Sequence, residues 1–478
     1  MSKSITTAIQ ALFQKTFGTA ATEILPLKRT ASGRQYFRVT GNNSSCIATH
    51  GLDAKENEAF ISFSKHFKNK GLSVPEIFAE DLEQDIYIQE DLGNQTLYEL
   101  LPKNGEDIDE SLKVLYRKTL GQLAQLQIEG GKGLDYTKCT PHSDFDQQSM
   151  QWDLNYFKYF FLKLTGFTFD EAALEKDFQN LIQYLLKADC QHFMFRDFQS
   201  RNIMVQENEP WFIDYQGGRR GAMQYDVASL LYQPAANLSE ATIADLLAHY
   251  LTEVEKWKTI DRSTFLDLFY GYVLIRRIQT LGTYGLRGIH ERYTHFLKSI
   301  PIALNQITTL FEIGKIKIAL PELERVLTVV NNSGRFSGIE KAENKLTVTV
   351  SSFSYKRAIP KDPSGNGGGF VFDCRFLNNP GRYQPYKKQT GRDQPVIEFL
   401  QAHSNIEDFL SNAYFMVDEA IENYIERGFD HLMVSFGCTG GQHRSVYSAD
   451  NMAKHLEEKY GVKVVLQHVE QELKGWIN

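Results

Sequence analysis

The sequence predicts two folded units in series: an α+β two-lobed unit, then a separate α/β unit with a mainly parallel sheet. Three observations carry that expectation. Residues 1–91 mix two helices with several short strand-like runs, whereas residues 92–312 are mostly amphipathic helix around one strand-rich stretch at 192–216. Residues 313–344 shift to a short helix and then a polar, glycine-containing run, the composition of a linker. Residues 345–478 alternate strands with helices, the pattern of a compact, largely parallel α/β unit.

Size and composition bound the classes. A chain of 478 residues has room for about three ordinary domains or two larger ones. Hydrophobic residues make up 42% and charged residues 23%, a globular profile. The net charge of −7 removes a whole-protein basic field, so RNA is not an expected partner and only a local basic face stays open. No apolar run reaches the length of a membrane span. The N-terminal MSKSITTAIQALFQKTF reads as an amphipathic helix, not a signal peptide. Five scattered cysteines without a CxxC favour a reducing cytoplasm. The oligomeric state has no signature.

In chain order, Ile5, Ile9, Leu12, Phe13 and Phe17 recur at helical spacing over 4–18. LPLKRTASGRQYFRVTGNNSSCIATHG reads as two or three antiparallel strands, with turns at Thr30–Arg34 and Gly41–Ser45. The first turn, holding Ser32 and Gly33, is either an ordinary hairpin or a loop whose backbone N–H groups cover a phosphate. Lys55–Lys70 is a helix, Ile77–Leu92 two strands around Glu83–Asp85, and Leu97–Leu101 the start of another helix. Val114–Gly130 and the aromatic-rich Asp146–Gly166 follow as helices, the aromatics reading as core. Asp226 is expected to head a helix over Val227–Tyr232 and to support the preceding loop. Residues 239–312 are helical, with Arg276, Arg277, Arg287 and Arg292 facing either a polar substrate or solvent.

The stretch HFMFRDFQSRNIMVQENEPWFIDYQ (His192–Gln216) carries the first candidate chemistry. It reads as a short strand, a polar loop, a second strand over Asn202–Gln206 and a third over Trp211–Tyr215. Phosphoryl transfer needs one carboxylate to orient the attacking hydroxyl, and an amide oxygen and a second carboxylate for Mg²⁺. Asp197, Asn202 and Asp214 supply that set at rigid strand ends and in the loop between. The competing reading is a hairpin with ordinary Asp and Asn turn residues.

ASGRQYFRV, EDLG, FRDFQSRNIMV, WFIDYQGGRRG, YDVAS and LIRRIQTLGTYGLRG together give residues 5–312 a family likeness. The first unit resembles the aminoglycoside phosphotransferase and choline kinase-like superfamily, which shares the protein kinase fold. Within it, the unit looks most like the anomeric kinases of N-acetylmuramate and N-acetylglucosamine. The resemblance implies a kinase domain over 1–312, with an N-lobe over about 1–91 and a C-lobe over about 92–312. It implies ATP and Mg²⁺ as cofactors, Asp197 as catalytic base, and Asn202 and Asp214 as metal ligands. It places Glu90, Asp91 and Leu92 in the hinge against the adenine, and Ser32 and Gly33 over the phosphates. Two positions depart from the pattern: Phe195 precedes Arg196 where a histidine is usual, and the third strand, CIATHG, lacks the phosphate-gripping lysine. Lys28, Arg34 or Arg38 are the candidate substitutes, with Glu58 as helix partner.

The second candidate site is GCTGGQHRS. HLMVSF reads as a buried strand, Gly440 and Gly441 open a loop, and Ser445 starts a helix. Strand, glycine loop and helix N-terminus form an anion site, to which Arg444 adds a donor fork and His443 a further donor. Asp373 and Arg375, at the end of FVFDCRF, stand at a strand terminus where α/β ligand sites gather. Cys438–Ser445 also matches C-x-x-G-x-x-R-S, the cradle of cysteine phosphatases, in which Cys438 would be a nucleophile. SFSYKRAIP, FVFDCRFLNNP, TGRDQPVIEFL and GCTGGQHRSVYSADNMAKHL resemble the C-terminal domain of the RNase adapter RapZ. The resemblance covers 345–478 and implies a phosphate- or phosphosugar-binding domain using Asp373, Arg375, Cys438, Thr439, Gly440, Gly441, His443, Arg444 and Ser445.

The expectation is an ATP- and Mg²⁺-dependent phosphotransferase acting on a sugar or amino sugar hydroxyl, fused to a phosphosugar sensor with a sugar-phosphate effector. Two alternatives stay open: a regulatory binding protein with a degenerate kinase domain, and a phosphatase acting through Cys438.

Overall fold

The computed structural model describes residues 2–27, 34–41, 44–102, 106–290, 294–336, 346–362, 364–365, 368–460 and 462–473. The chain divides into two compact units, Met1–Leu286 with Ser299–Arg335, and Arg287–Lys298 with Phe336–Asn478.

The first unit begins with α1 (Ser2–Phe17) and a five-stranded antiparallel sheet. Its strands are β1 (Glu23–Pro26), β2 (Gln35–Gly41), β3 (Ser44–His50), β4 (Ile77–Asp81) and β5 (Ile86–Glu90), in spatial order β1-β2-β3-β5-β4. Strand alternation sends Val39, Cys46, Ala48, Ile86 and Ile88 to one face, where Ile9, Leu12 and Phe13 of α1 close a small core. Helix α2 (Ala54–Asn69) starts at Asp53, whose carboxylate accepts from the N–H groups of Lys55 and Glu56 at 3.0 and 3.1 Å. Its Phe60, Phe63 and Phe67, at helical spacing, join a second core that also holds Phe193 and Tyr215. This helix therefore ties the sheet to the strand-rich stretch.

The rest of the unit is α3 (Glu110–Gln125), α4 (Gln147–Phe157), the single turn α5 (Lys163–Thr165) and α6 (Glu171–Leu185). Then come β6 (His192–Met194), β7 (Ile203–Gln206), β8 (Glu209–Phe212) and β9 (Arg219–Gly221). Helices α7 (Met223–Leu231), α8 (Glu240–Glu255), α9 (Arg262–Tyr284), α10 (Thr294–Glu312, of which this unit holds the part from Ser299 on) and α11 (Pro321–Asn332) complete the order. The stretch 192–216 holds three strands, as expected, but not in one sheet: β7 and β8 form a hairpin, while β6 pairs with β9. The third strand stops at Phe212, so Asp214 lies beyond it, with φ +69°. Asp226 lies inside the buried α7 rather than ahead of it, so it caps nothing on its own helix. Within the expected linker, α11 buries Leu323, Val326, Leu327 and Val330. Its first N–H groups, of Glu322 and Leu323, donate to the Asp177 carboxylate of α6 at 2.8 and 2.9 Å.

The second unit is a four-stranded parallel sheet in the order β11-β12-β10-β13, from β10 (Thr347–Ser354), β11 (Phe370–Asp373), β12 (His431–Cys438) and β13 (Lys463–His468). Helices α12 (Gln394–His403), α13 (Ile406–Glu426), α14 (Arg444–Tyr460) and α15 (Val469–Leu473) connect or follow the strands. The near-continuous apolar run of β12 fits a strand covered on both faces. Among the described residues, no helix is long and apolar enough to cross a membrane.

Candidate active site

The loop after β6 is held from behind by one carboxylate. Asp226 is fully buried. It accepts from the backbone N–H of Phe195 at 2.8 Å, from that of Arg196 at 3.0 Å and from Gln127 Nε2 at 2.9 Å. Burial raises its carboxyl to about 6, against the pull of those donors. Arg196 sits in the left-handed region at φ +81°. Its guanidinium donates to Tyr225 Oη and to Asp153 Oδ1, both at 2.6 Å, and lies over the Phe145 and Tyr225 rings. Phe195, in the place of the usual histidine, is buried and meets the Phe198 ring edge-on at 5.2 Å. The substitution trades a polar anchor for an aromatic one and leaves the backbone anchor at Asp226 in place.

With its backbone fixed, the loop turns Asp197 outward. Its Oδ1 accepts from Arg276 Nη2 of α9 at 3.1 Å. Arg276 is 3% exposed, and its Nε donates to Ser229 Oγ at 3.0 Å. Burial of the site raises the Asp197 carboxyl, but Arg276, Arg196 and Arg201 outweigh it and hold the group below its ordinary value. Asp197 is therefore held as an anion. Asn202 Nδ2 donates to the Asp197 carbonyl at 2.9 Å, and the Asn202 carbonyl accepts from Ile213 N at 3.1 Å. That second bond joins the loop to the segment carrying Asp214. Asp214 Oδ1 accepts from Gln216 Nε2 at 2.8 Å.

Of the candidate cations, one stands beside Asp214. Arg34, 4% exposed at the start of β2, places Nη1 4.0 Å from Asp214 Oδ1 and Nη2 3.0 Å from Glu56 Oε2 of α2. Arg34 thus stands just ahead of β2, between a helix glutamate and Asp214. The partner is Glu56 and not Glu58, whose carboxylate instead takes Lys138 Nζ at 3.0 Å. Arg38 is also committed elsewhere: it forks onto Asp91 at 2.6 and 2.8 Å and reaches Asn94 and the Gly93 carbonyl. Glu90 accepts from Lys68 Nζ and from the Glu76 N–H, and the Leu92 side chain is buried. The expected hinge side chains are thus structural, leaving any adenine contact to backbone. Lys28, Ser32, Gly33 and Arg292 lie outside the described residues. Arg276 faces neither solvent nor an open cleft alone, because its partner is Asp197 itself.

In the second unit, β12 leads into the loop of Thr439–His443 and then α14. Cys438 is buried, with Sγ 3.1 Å from Ser445 Oγ. Burial raises its thiol, but the hydroxyl and N–H of Ser445, Arg444 and the Gln442 N–H outweigh this and lower it. Thr439 and Gly440 are exposed, and Gly441 takes φ +63°. The expected donor fork is turned inward. Arg444 Nη1 donates to the Arg375 and Leu377 carbonyls at 3.0 and 2.7 Å, which braces the turn after β11. His443 Nε2 meets the Tyr386 carbonyl at 2.9 Å. Arg375 is paired with Asp373 at 2.6 Å and stacks on Tyr355, its guanidinium carbon 4.0 Å from the ring centre. An anion at this loop would meet backbone N–H groups and the helix terminus before any free side-chain cation.

Comparison with known proteins follows this division. The phosphotransferase enzyme family model matches residues 23–261, and the RapZ C-terminal domain model matches residues 346–472. A nucleotide-binding protein of Ruminiclostridium cellulolyticum is 42% identical over 132 residues, 27% of this chain and 43% of that protein. Another, of Fervidobacterium nodosum, is 32% identical over 193 residues, 39% of this chain and 66% of that protein. The chain therefore spans between 43% and 66% of the length of these two curated relatives. Among solved structures, a Plasmodium vivax ethanolamine kinase aligns with TM-score 0.45 and 14% identity, over 61% of this chain and 84% of that one. An amicoumacin kinase in complex with AMP-PNP and Ca²⁺ aligns with TM-score 0.44 and 12% identity, over 71% of this chain and 97% of that one.

Proposed function

Because the chain belongs to the phosphotransferase enzyme family, whose model spans residues 23–261, we propose that it transfers a phosphoryl group from ATP to a hydroxyl of a small molecule, a sugar or amino sugar. The observation that carries this is Asp197: an ionised carboxylate, turned outward from a loop fixed by Asp226 and oriented by Arg276. It accepts the proton of the acceptor hydroxyl as that oxygen bonds to the γ-phosphorus, the β–γ bridging bond breaks, and ADP leaves. Arg34, beside Asp214, is the cation that contacts the nucleotide phosphates.

The residues also fit Mg²⁺. Asn202 donates an amide N–H to the Asp197 carbonyl, which leaves its side-chain oxygen to ligate a hard cation, and Asp214 adds a carboxylate. Mg²⁺ takes one or two carboxylates and completes its shell with phosphate oxygens and water. A dense acidic cage is accordingly not needed, and the described residues hold no cluster of three or more His, Cys, Asp or Glu suited to a metal. When bound, the ion neutralises charge on the transferring phosphate.

The second unit serves in this reading as a phosphosugar-binding module at Thr439–Ser445, its anion contacts supplied by the loop backbone and the start of α14. The substrate assignment is tested by incubating the full chain with ATP, Mg²⁺ and a panel of N-acetylated hexosamines, and following ADP and the sugar phosphate by mass spectrometry. ADP formation coupled to a new sugar phosphate is the expected result. Nucleotide binding without turnover on any hydroxyl acceptor would support a binding protein with a degenerate kinase domain instead.

A further inference from the structure

On stability alone, Gln216 is an odd residue for its surroundings. It is 9% exposed. Its Nε2 donates to Asp214 Oδ1 at 2.8 Å, but its Oε1 is buried and has no hydrogen-bond partner among the described residues. A buried amide oxygen without a donor is destabilising, and an apolar side chain of similar length avoids it. The amide is not free to turn over, because the exchange sets its oxygen against a carboxylate, which only accepts. The one directed contact of this side chain is therefore the N–H that meets Asp214.

The backbone on either side of that contact is pinned. Tyr215, between the two residues, is fully buried, stacks on Phe60 of α2 with ring centres 4.9 Å apart, and has its hydroxyl 2.6 Å from Ser64 Oγ. Before Asp214, the Ile213 N–H donates to the Asn202 carbonyl at 3.1 Å. After Gln216, the Gly218 N–H returns to the Tyr215 carbonyl at 2.9 Å, and a Cβ at Gly218 would stand 2.3 Å from the Phe193 ring. Asp214 itself takes the left-handed φ of +69°. Its Oδ1 meets Gln216 Nε2 and, at 4.0 Å, Arg34 Nη1, whereas its Oδ2 makes no hydrogen bond or ion pair among the described residues. We propose that Gln216 is a positioning residue: it pins one oxygen of the Asp214 carboxylate, leaves the other free for the cation, and so sets the Mg²⁺ concentration at which nucleotide binds. The proposal rests on the reading that Asp214 holds Mg²⁺. A carboxylate already fixed gives up less rotational freedom when it takes a cation than one that must first be ordered.

The test titrates the full chain with AMP-PNP by calorimetry at a series of Mg²⁺ concentrations and reads the Mg²⁺ midpoint for nucleotide binding. Gln216→Met should raise that midpoint by about tenfold, the scale on which partners that orient metal ligands act, and saturating Mg²⁺ should restore the native nucleotide affinity. The ligand-free Met variant should melt at or above the native chain, because a buried oxygen without a donor has gone. Gln216→Asn keeps the amide but is one methylene too short to reach Asp214, so it should share the raised midpoint; it carries the same test if the Met variant does not fold. A native midpoint in either folded variant overturns the proposal. So does a weakening of nucleotide binding that is equal at every Mg²⁺ concentration and comes with a lower melting temperature, the mark of a merely structural residue. Asp214→Asn separates the two levels of the argument. A raised midpoint there beside a native midpoint in the Gln216 variants rejects the positioning role and keeps Asp214 as ligand, whereas a native midpoint in Asp214→Asn rejects the ligand reading and the positioning role with it.

Discussion

Replacing Asp226 by asparagine isolates the device that holds the loop bearing Asp197. Its carboxylate takes three donors in a fully buried setting: Phe195 N at 2.8 Å, Arg196 N at 3.0 Å and Gln127 Nε2 at 2.9 Å. Asparagine has the same shape but exchanges one acceptor oxygen for a donor, so at least one of these N–H groups faces another donor. Leaving a buried polar group unpaired costs about 1–3 kcal/mol, and hydrogen bonds to a charged acceptor contribute about 1.5–3 kcal/mol. Relief of the buried charge works in the opposite direction. The carboxyl stands at about 6 instead of 3.8, so the ionised form carries a penalty of about 3 kcal/mol. The net loss at pH 7 therefore lies between about zero and about 3 kcal/mol.

The pH dependence has a definite sign. Because the folded-state carboxyl is raised, the native chain takes up a proton between about pH 6 and pH 4 that the unfolded chain does not. This group then adds stability as pH falls through that window and loses it as pH rises. Asparagine does not titrate, so the deficit of Asp226→Asn should be about 1 kcal/mol larger at pH 5 than at pH 7. Urea unfolding followed by tryptophan fluorescence measures it, since Trp152, Trp211 and Trp257 all belong to the first unit. A deficit that is equal at both pH values, or that shrinks at pH 5, would refute the reasoning.

Two further predictions bear on the other assignments. Arg34→Gln should raise the KM for ATP by about tenfold, the loss of one charge-assisted contact; an unchanged ATP dependence in steady-state kinetics would remove Arg34 from the nucleotide site. Arg444→Ala leaves the Arg375 and Leu377 carbonyls without their donor and should destabilise the second unit by about 2–4 kcal/mol, read as a lowered transition in calorimetry; wild-type stability with weakened phosphosugar binding would show that the arginine faces a ligand after all.

What the sequence could disclose follows from how local each interaction is. Asp197 and Asn202 belong to one loop, and their five-residue spacing is itself the chemical constraint, so the pattern was legible. The parallel sheet of the second unit was legible because alternating strands and helices have few packing solutions. Glu56 and Glu58 show where local pattern stops. They lie two positions apart on α2, about 200° around the helix, and only the docked helix decides which carboxylate meets Arg34. Arg276 acts on a carboxylate 79 residues away in sequence, a relation that no spacing rule contains. Arg444 occupies the motif position of a phosphate fork, yet its side chain turns to carbonyls at the end of another strand. The same motif is compatible with either direction. Asp226 was expected to support the loop and does so, but through the Phe195 and Arg196 backbone and not as a helix cap.

The claim that Asp197 takes the acceptor's proton is tested most directly by Asp197→Asn in the full chain. Coupled ADP release is measured with ATP, Mg²⁺ and whichever acceptor the native protein phosphorylates. The expected result is a fall in kcat of at least about a hundredfold, the usual contribution of a positioned acid or base, with ATP binding retained by equilibrium titration. Turnover of the asparagine variant at the native rate would contradict the assignment.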